Sequence, residues 1–222
     1  MPFGMKKEKE DKRIRLSLMQ EETLKEIGNL GAAKATDVLS KMTKIRVNLI
    51  VPYIQILPVE QIPNAIIAPR EIIASTFMRL FGDYPGGVLV LYRKQTALIL
   101  VDLMLGRTMG TTKRLAEEDI SAFIEMSNIL NNTYLTALAN FFNAKFEPGT
   151  PKVVLDIDYL LNEFTKEAPE EIRYALIIGT RFTIEKEKKV EGEFILLLDT
   201  STLEKLLKIL NERLKKKKDM IF

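Results

Sequence analysis

The chain has 222 residues, 46% hydrophobic and 28% charged, with 33 Lys and Arg against 30 Asp and Glu for a net charge of +3. That make-up suits a globular protein able to bury a full core, and it offers no large field for nucleic acid. It contains no Cys and no His. Disulfides, thiolate metal sites, thiol nucleophiles, Ser-His-Asp triads and histidine general bases are therefore excluded. Any chemistry must rest on carboxylates, hydroxyls, amides, amines or groups that a partner brings.

Taken in order, residues 1–13 read as a charged leader with no apolar core of a signal peptide. The most apolar stretch, 86–105, is broken by Arg93, Lys94 and Asp102 and cannot supply about 20 apolar residues for a membrane span. Both observations point to a cytoplasmic protein without membrane insertion. A helix is predicted over about 17–43, with Leu24, Ile27, Gly31, Ala35, Val38 and Met42 as its inner stripe. Gly28 and Gly31 inside that helix cost roughly 1 kcal/mol each relative to Ala, which suggests close approach of the sheet or of another helix. A strand over 45–57 is interrupted by Pro52, so it bends there or lies on an edge.

Residues 65–81 suit strands with a turn near Pro69 and Arg70, and the cluster 82–87 is a turn. A short apolar strand over 88–92 and a helix over 95–105, closed by Gly106, complete a first half. Residues 107–116 link it to a second, whose long helix starts with Glu117, Glu118 and Asp119, where the helix dipole favours acid. Strands follow over 153–157, 173–187 (one long or two short) and 192–198, and an amphipathic helix over 201–214 closes the half. The domain reading is thus a leader 1–13, a single domain 14–214 with halves of about 14–106 and 116–214, and a basic tail 215–222.

The second long helix carries Ser121, Glu125 and Asn128 at steps of four and three, followed by Pro151. At about 100° per residue these polar groups form one stripe, opposite Phe123, Leu130, Tyr134 and Phe141. The same pattern stands earlier as Glu22, Glu26, Asn29 and Pro52, each position 99 residues before its counterpart. Later elements repeat at 105, Gly87 with Gly192 and Leu98 with Leu203, so the second half carries about six extra residues between Pro151 and Gly192, placed around 162–170. A solvated helix face would explain one stripe. Two copies that both keep Asn, a poor helix former costing roughly 0.6 kcal/mol against Ala, point to a shared surface. The fold expected is α/β, with pseudo-twofold duplicated halves forming one continuous, mostly antiparallel sheet on which the two motif helices pack.

The repeated pattern Glu/Ser-x3-Glu-x2-Asn-x22-Pro resembles the twice-occurring signature of the CheC/CheX/FliY family of chemotaxis phosphatases. Phrases such as Lys25-Glu-Ile-Gly-Asn-Leu-Gly31 and Thr133-Tyr-Leu-Thr-Ala-Leu138 are most like CheC. The second copy fits in full, and the first departs at Glu22, where the family has Asp or Ser. The resemblance implies hydrolysis of the aspartyl-phosphate of the response regulator CheY. Asn29 and Asn128 would orient the attacking water, and Glu26 and Glu125 would dock a lysine of the regulator. Glu22, Ser121, Pro52 and Pro151 would support the motif. No cofactor of its own is implied, since Mg²⁺ would sit in the bound regulator. Partners implied are phosphorylated CheY, the deamidase CheD by family alone, and the flagellar or archaellar switch. Two alternatives remain: the middle domain of FliY, which requires a FliN-like domain that nothing after Leu214 supplies, and a non-catalytic module like the FliM middle domain.

Overall fold

The computed structural model describes residues 14–62, 65, 73–154, 172–184 and 188–219. Helix α1 (Leu18–Thr43) is followed by β1 (Val47–Ile50), β2 (Ile54–Pro58), a short 3₁₀ turn, β3 (Ile73–Gly82), β4 (Gly86–Arg93) and α2 (Lys94–Met104). The second half runs α3 (Glu117–Phe142), β5 (Phe146–Pro148), β6 (Lys152–Val154), β7 (Ile172–Ile184), β8 (Lys188–Asp199) and α4 (Thr200–Asp219). Among the described residues eight strands form one sheet of order β1-β7-β8-β4-β3-β5, with β2 also on β7 and β6 also on β3. Every pairing is antiparallel.

That order is a twofold arrangement in which the halves exchange their edge strands. The first half's β1 and β2 lie on the second half's β7, while β5 and β6 lie on β3. At the centre, Gly87 pairs Leu197 and Tyr92 pairs Gly192, and advancing one half by 105 residues turns one pair into the other. The duplicated long helices end alike, with Lys44 and Asn143 both left-handed (φ 56° and 51°) and 99 residues apart. At the edges, Val47 faces Ile184 and Phe146 faces Gly82, an offset of 102 on the long strands. About half of the extra residues therefore precede β7 and the others fall in the β7–β8 hairpin, rather than all lying near 162–170. That segment is itself outside the described residues, as are the leader 1–13, the turn at Pro69 and Arg70, and positions 155–157 of the strand expected over 153–157.

Residues 172–184 form one long strand, and β5 is a strand that sequence patterning did not indicate. The closing helix runs on to Asp219, into residues read as a basic tail. The inner stripe of α1 drifts from the expected one: Leu39 and Thr43 are buried, whereas Val38 and Met42 are 39% and 46% exposed. On α3, Phe123, Leu130 and Tyr134 are buried as expected, while Phe141 is half-buried and Phe142 takes the inner place. Asn131, part of a formal glycosylation triplet, is wholly buried, so no glycan could be carried there.

The central strands are apolar on both faces. Val88, Val90, Tyr92, Phe194, Leu196 and Leu198 belong to the core beneath the helices, and Leu89, Leu91, Ile195 and Leu197 to a second core on the opposite face. Alternate residues of one strand thus feed two hydrophobic layers. The two glycines of α1 serve both of their anticipated partners. A Cβ on Gly28 would lie 3.0 Å from Val51, just past β1, and one on Gly31 would lie 2.9 Å from the Tyr134 ring and 3.1 Å from its Cα on α3. Gly31 is the notch that lets the motif helices lie side by side. Tyr134, seated there, packs on Phe194 with 4.9 Å between ring centroids, and burial pushes its hydroxyl pKa up to about 12.

Between the halves, the buried Asp102 of α2 gathers the linker. Its carboxylate accepts from the backbone N–H groups of Gly110, Thr111 and Thr112 (2.6, 3.0 and 3.1 Å) and from the hydroxyls of Thr111 and Thr112. Arg107 then reaches Asp119 at 2.5 Å, and Asp119 accepts the Ala116 N–H at 2.7 Å, which fixes the first turn of α3. Burial raises the Asp102 pKa, but the donors from Thr112, Gly110 and Thr111 outweigh it and hold the carboxyl below its usual range. The Ala116 N–H and the Arg107 guanidinium lower Asp119 likewise.

Two outcomes follow from this packing. In a helix Gly→Ala normally gains about 1 kcal/mol, but at Gly31 the new methyl meets Tyr134 backbone as well as ring. Gly31→Ala is therefore expected to lose about 1–2 kcal/mol net, read as a fall of roughly 2–8 °C in Tm for a chain of this size. Because Asp102 and Asp119 have depressed folded pKa values, their stabilisation is present above the ordinary carboxylate value near 3.9 and is lost as pH falls through the folded values. Urea unfolding as a function of pH should show that acid loss in the wild type. It should show a shallower one in Asp102→Asn, at lower stability overall.

Candidate functional site

The two motif stripes lie on α1 and α3. Glu22, Glu26, Asn29, Ser121 and Glu125 are exposed, and Asn128 is half-buried. Glu26 and Asn29, like Glu125 and Asn128, are separated by about 4.5 Å along the helix axis at 1.5 Å per residue. Pro52 and Pro151, both half-buried, stand where the edge strands break, between β1 and β2 and just before β6. In the first copy the structure brings Asn29 to the strand break, through the Val51 N–H.

The first copy shows why Asn and Pro travel together. Pro52 cannot donate to a ladder, so β1 stops at Ile50 and β2 starts at Ile54. β1 is also an outer strand, and its outward N–H groups need partners that the sheet does not supply. Side chains of α1 supply them. Ser40 Oγ accepts the Val47 N–H at 3.1 Å, Thr36 Oγ1 accepts the Leu49 N–H at 2.9 Å, and Asn29 Oδ1 accepts the Val51 N–H at 3.0 Å. Alternate residues of the strand meet residues of the helix spaced by seven and four, one row on each surface. Asn29 is the last member of that row, and its amide oxygen is turned toward the strand.

The second copy manages its edge differently. The counterparts of Ser40 and Thr36 are Ala139 and Leu135, and the counterpart of Leu49 is Pro148, which has no N–H to satisfy. Asn128 is kept all the same, and among the described residues it makes no hydrogen bond to Thr150, the counterpart of Val51. Ser121 donates its hydroxyl to the carbonyl of Glu117 at 3.2 Å, within its own helix. The row of helix side chains along β1 was not legible in the sequence, because Thr and Ser in a helix give no sign of which strand they meet. Two exposed apolar residues were missed as well: Met19 and Leu30, 42% and 60% exposed, flank Glu26 and Asn29, while their counterparts on α3 are Glu118 and the buried Ile129. No group of three or more His, Cys, Asp or Glu able to hold a metal ion occurs among the described residues, and none of the described helices is long and apolar enough to cross a membrane.

The model of the CheC-like family matches residues 19–55, the segment containing the first copy from Glu22 to Pro52. The chain is 25% identical over 191 residues to the CheY-P phosphatase CheC of Bacillus subtilis (strain 168), covering 84% of this chain and 91% of that protein. It is 24% identical over 183 residues to the flagellar motor switch phosphatase FliY of the same organism, covering 82% of this chain but 47% of that one, about half its length. Among solved structures, Thermotoga maritima FliY superposes with a TM-score of 0.72 at 18% identity over 90% of this chain and 99% of the other. The FliM middle domain of H. pylori gives 0.59 at 11% identity over 87% and 99%. Those two structures share the fold described above: a curled antiparallel sheet with helices packed on it.

Proposed function

We propose that this chain, which resembles the CheC-like family over residues 19–55 and CheC and FliY at 24–25% identity, hydrolyses the aspartyl-phosphate of a CheY-type response regulator at two sites, one on α1 and one on α3. The observation that carries this reading is Asn128. In the first half an Asn at this position caps a sheet edge; in the second half the capping row is gone, yet the Asn remains, half-buried beside the exposed Glu125. Packing gives no reason to keep a poor helix former there, and catalysis does.

In the reaction proposed, a water oxygen attacks phosphorus in line while the bond from phosphorus to the regulator's carboxylate oxygen breaks. The products are inorganic phosphate and the free carboxylate. Such a transfer needs positioning and charge neutralisation more than a nucleophile from the enzyme, which suits a protein without Cys or His. Asn128 and Asn29 orient the water. Glu125 and Glu26 receive a cationic side chain of the regulator and fix the approach of the two proteins. Mg²⁺ belongs to the regulator's own site in this scheme. A cytoplasmic location, binding of CheD and contact with the motor switch are further parts of the proposal, carried by the resemblance alone.

The test is the decay of phosphorylated CheY with catalytic amounts of this protein. Wild type should accelerate it, and removing a positioned amide should cost the affected site about 10²-fold or more. Asn29→Ala and Asn128→Ala should each leave the activity of the other site. The double variant should fall to the regulator's own decay. Unchanged decay with wild type would overturn the enzyme reading in favour of a binding module.

A further inference from the structure

The hydrogen bonds along β1 distinguish the two sites in kind. At the first, Oδ1 of Asn29 is committed to the Val51 N–H, leaving Nδ2 without a partner among the described residues. That bond is the end of a row: Val51 is held two residues beyond Leu49, which is fixed by Thr36, and four beyond Val47, which is fixed by Ser40 through both its N–H and its carbonyl. The strand is therefore clamped to α1 at three alternate residues, and the clamp decides where the Val51 N–H stands relative to the helix. On α3 the corresponding positions, Leu135 and Ala139, have no group to do this.

Resting on the two-site reading above, we propose that Thr36 is a positioning residue for the first site. By holding Leu49 it sets the Val51 N–H, and the Val51 N–H fixes the Asn29 amide in one orientation before any regulator arrives. A group already oriented needs no ordering at the moment of reaction, and small misplacements of such groups are costly. The second site lacks the clamp, and its Asn128 is ordered only on contact with the regulator. Thr36 touches no reacting atom. Its loss should appear in kcat and not in KM, because the docking Glu26 stays where the helix puts it.

The experiment isolates each site with the other's Asn removed. In the Asn128→Ala background, Thr36→Val keeps the shape but removes the hydroxyl and is expected to lower kcat toward phosphorylated CheY by about tenfold, with KM unchanged. Thr36→Ser, which retains the acceptor, should restore it. In the Asn29→Ala background Thr36→Val should leave the remaining activity alone. A second readout does not depend on turnover: the Asn29 side-chain amide should give one sharp pair of NMR signals in the wild type and a broadened or shifted pair in Thr36→Val. Activity unaffected by Thr36→Val in the first background, or equal losses in both backgrounds, would overturn the positioning role. Should the double Asn variant retain full activity, the two-site reading itself fails. The amide signals then decide the clamp alone, and an unchanged pair in Thr36→Val overturns it.

Discussion

An outer strand leaves a row of backbone donors without partners, and the way this protein meets that constraint shapes the rest of it. β1 is short, broken by Pro52, and lies at the end of an eight-stranded sheet. Its outward N–H groups at Val47 and Leu49, and that of Val51 just past its end, are taken by Ser40, Thr36 and Asn29. A net contribution of about 1 kcal/mol per bond is modest, but leaving such donors buried and unpaired would cost more. The same contacts close the sheet edge to other chains and set α1 over the sheet, where Gly28 admits Val51 and Gly31 admits Tyr134 of α3. The helix that bears the first motif is thus fixed from both sides by groups near that motif.

Duplication made the two halves alike, and the constraint was then solved twice. In the first half the donors are paired. In the second, Pro148 removes one of them and Leu135 and Ala139 replace the acceptors with apolar groups. The exchange of edge strands, β1 and β2 onto β7 and β5 and β6 onto β3, means that neither half can complete its sheet without the other. The motif helices are held together as a consequence of that exchange. Tyr134 needs the space that Gly31 leaves, and the position 99 residues from each reverses the sizes: Leu130 stands for Gly31 and Ala35 for Tyr134. Small meets large where Gly31 faces Tyr134, as close packing requires.

Most of this architecture was legible from the chain. The offsets of 99 and 105 located both helices, the broken edge strand and the central pair, because each repeats its own pattern of apolar and turn residues. The expected inner stripe of α1 failed at Val38 and Met42, since a helix lying across a twisted sheet changes the face it buries along its length. The split of the extra residues was hidden too, because the offsets fix only their total, whereas the longer β7–β8 hairpin shows where part of them lies. The candidate site residues stand out in the sequence as a recurring polar stripe. What the stripe could not reveal was that Asn29 already holds a backbone donor, because a helical wheel places a side chain on a face without naming the strand beside it.

That distinction bears on how a repeated motif should be weighed. A residue that recurs in both halves can be kept by packing in each, by function in each, or by a different cause in either. For Asn29 the bond to Val51 is a sufficient packing reason, so its presence says little about chemistry. Asn128 has been relieved of that task, since the row of acceptors and one of the donors are gone from its half, and the cost of Asn within a helix remains. The copy with the fewer structural obligations is therefore the more informative about function, and the inference to a shared reaction runs from α3 back to α1.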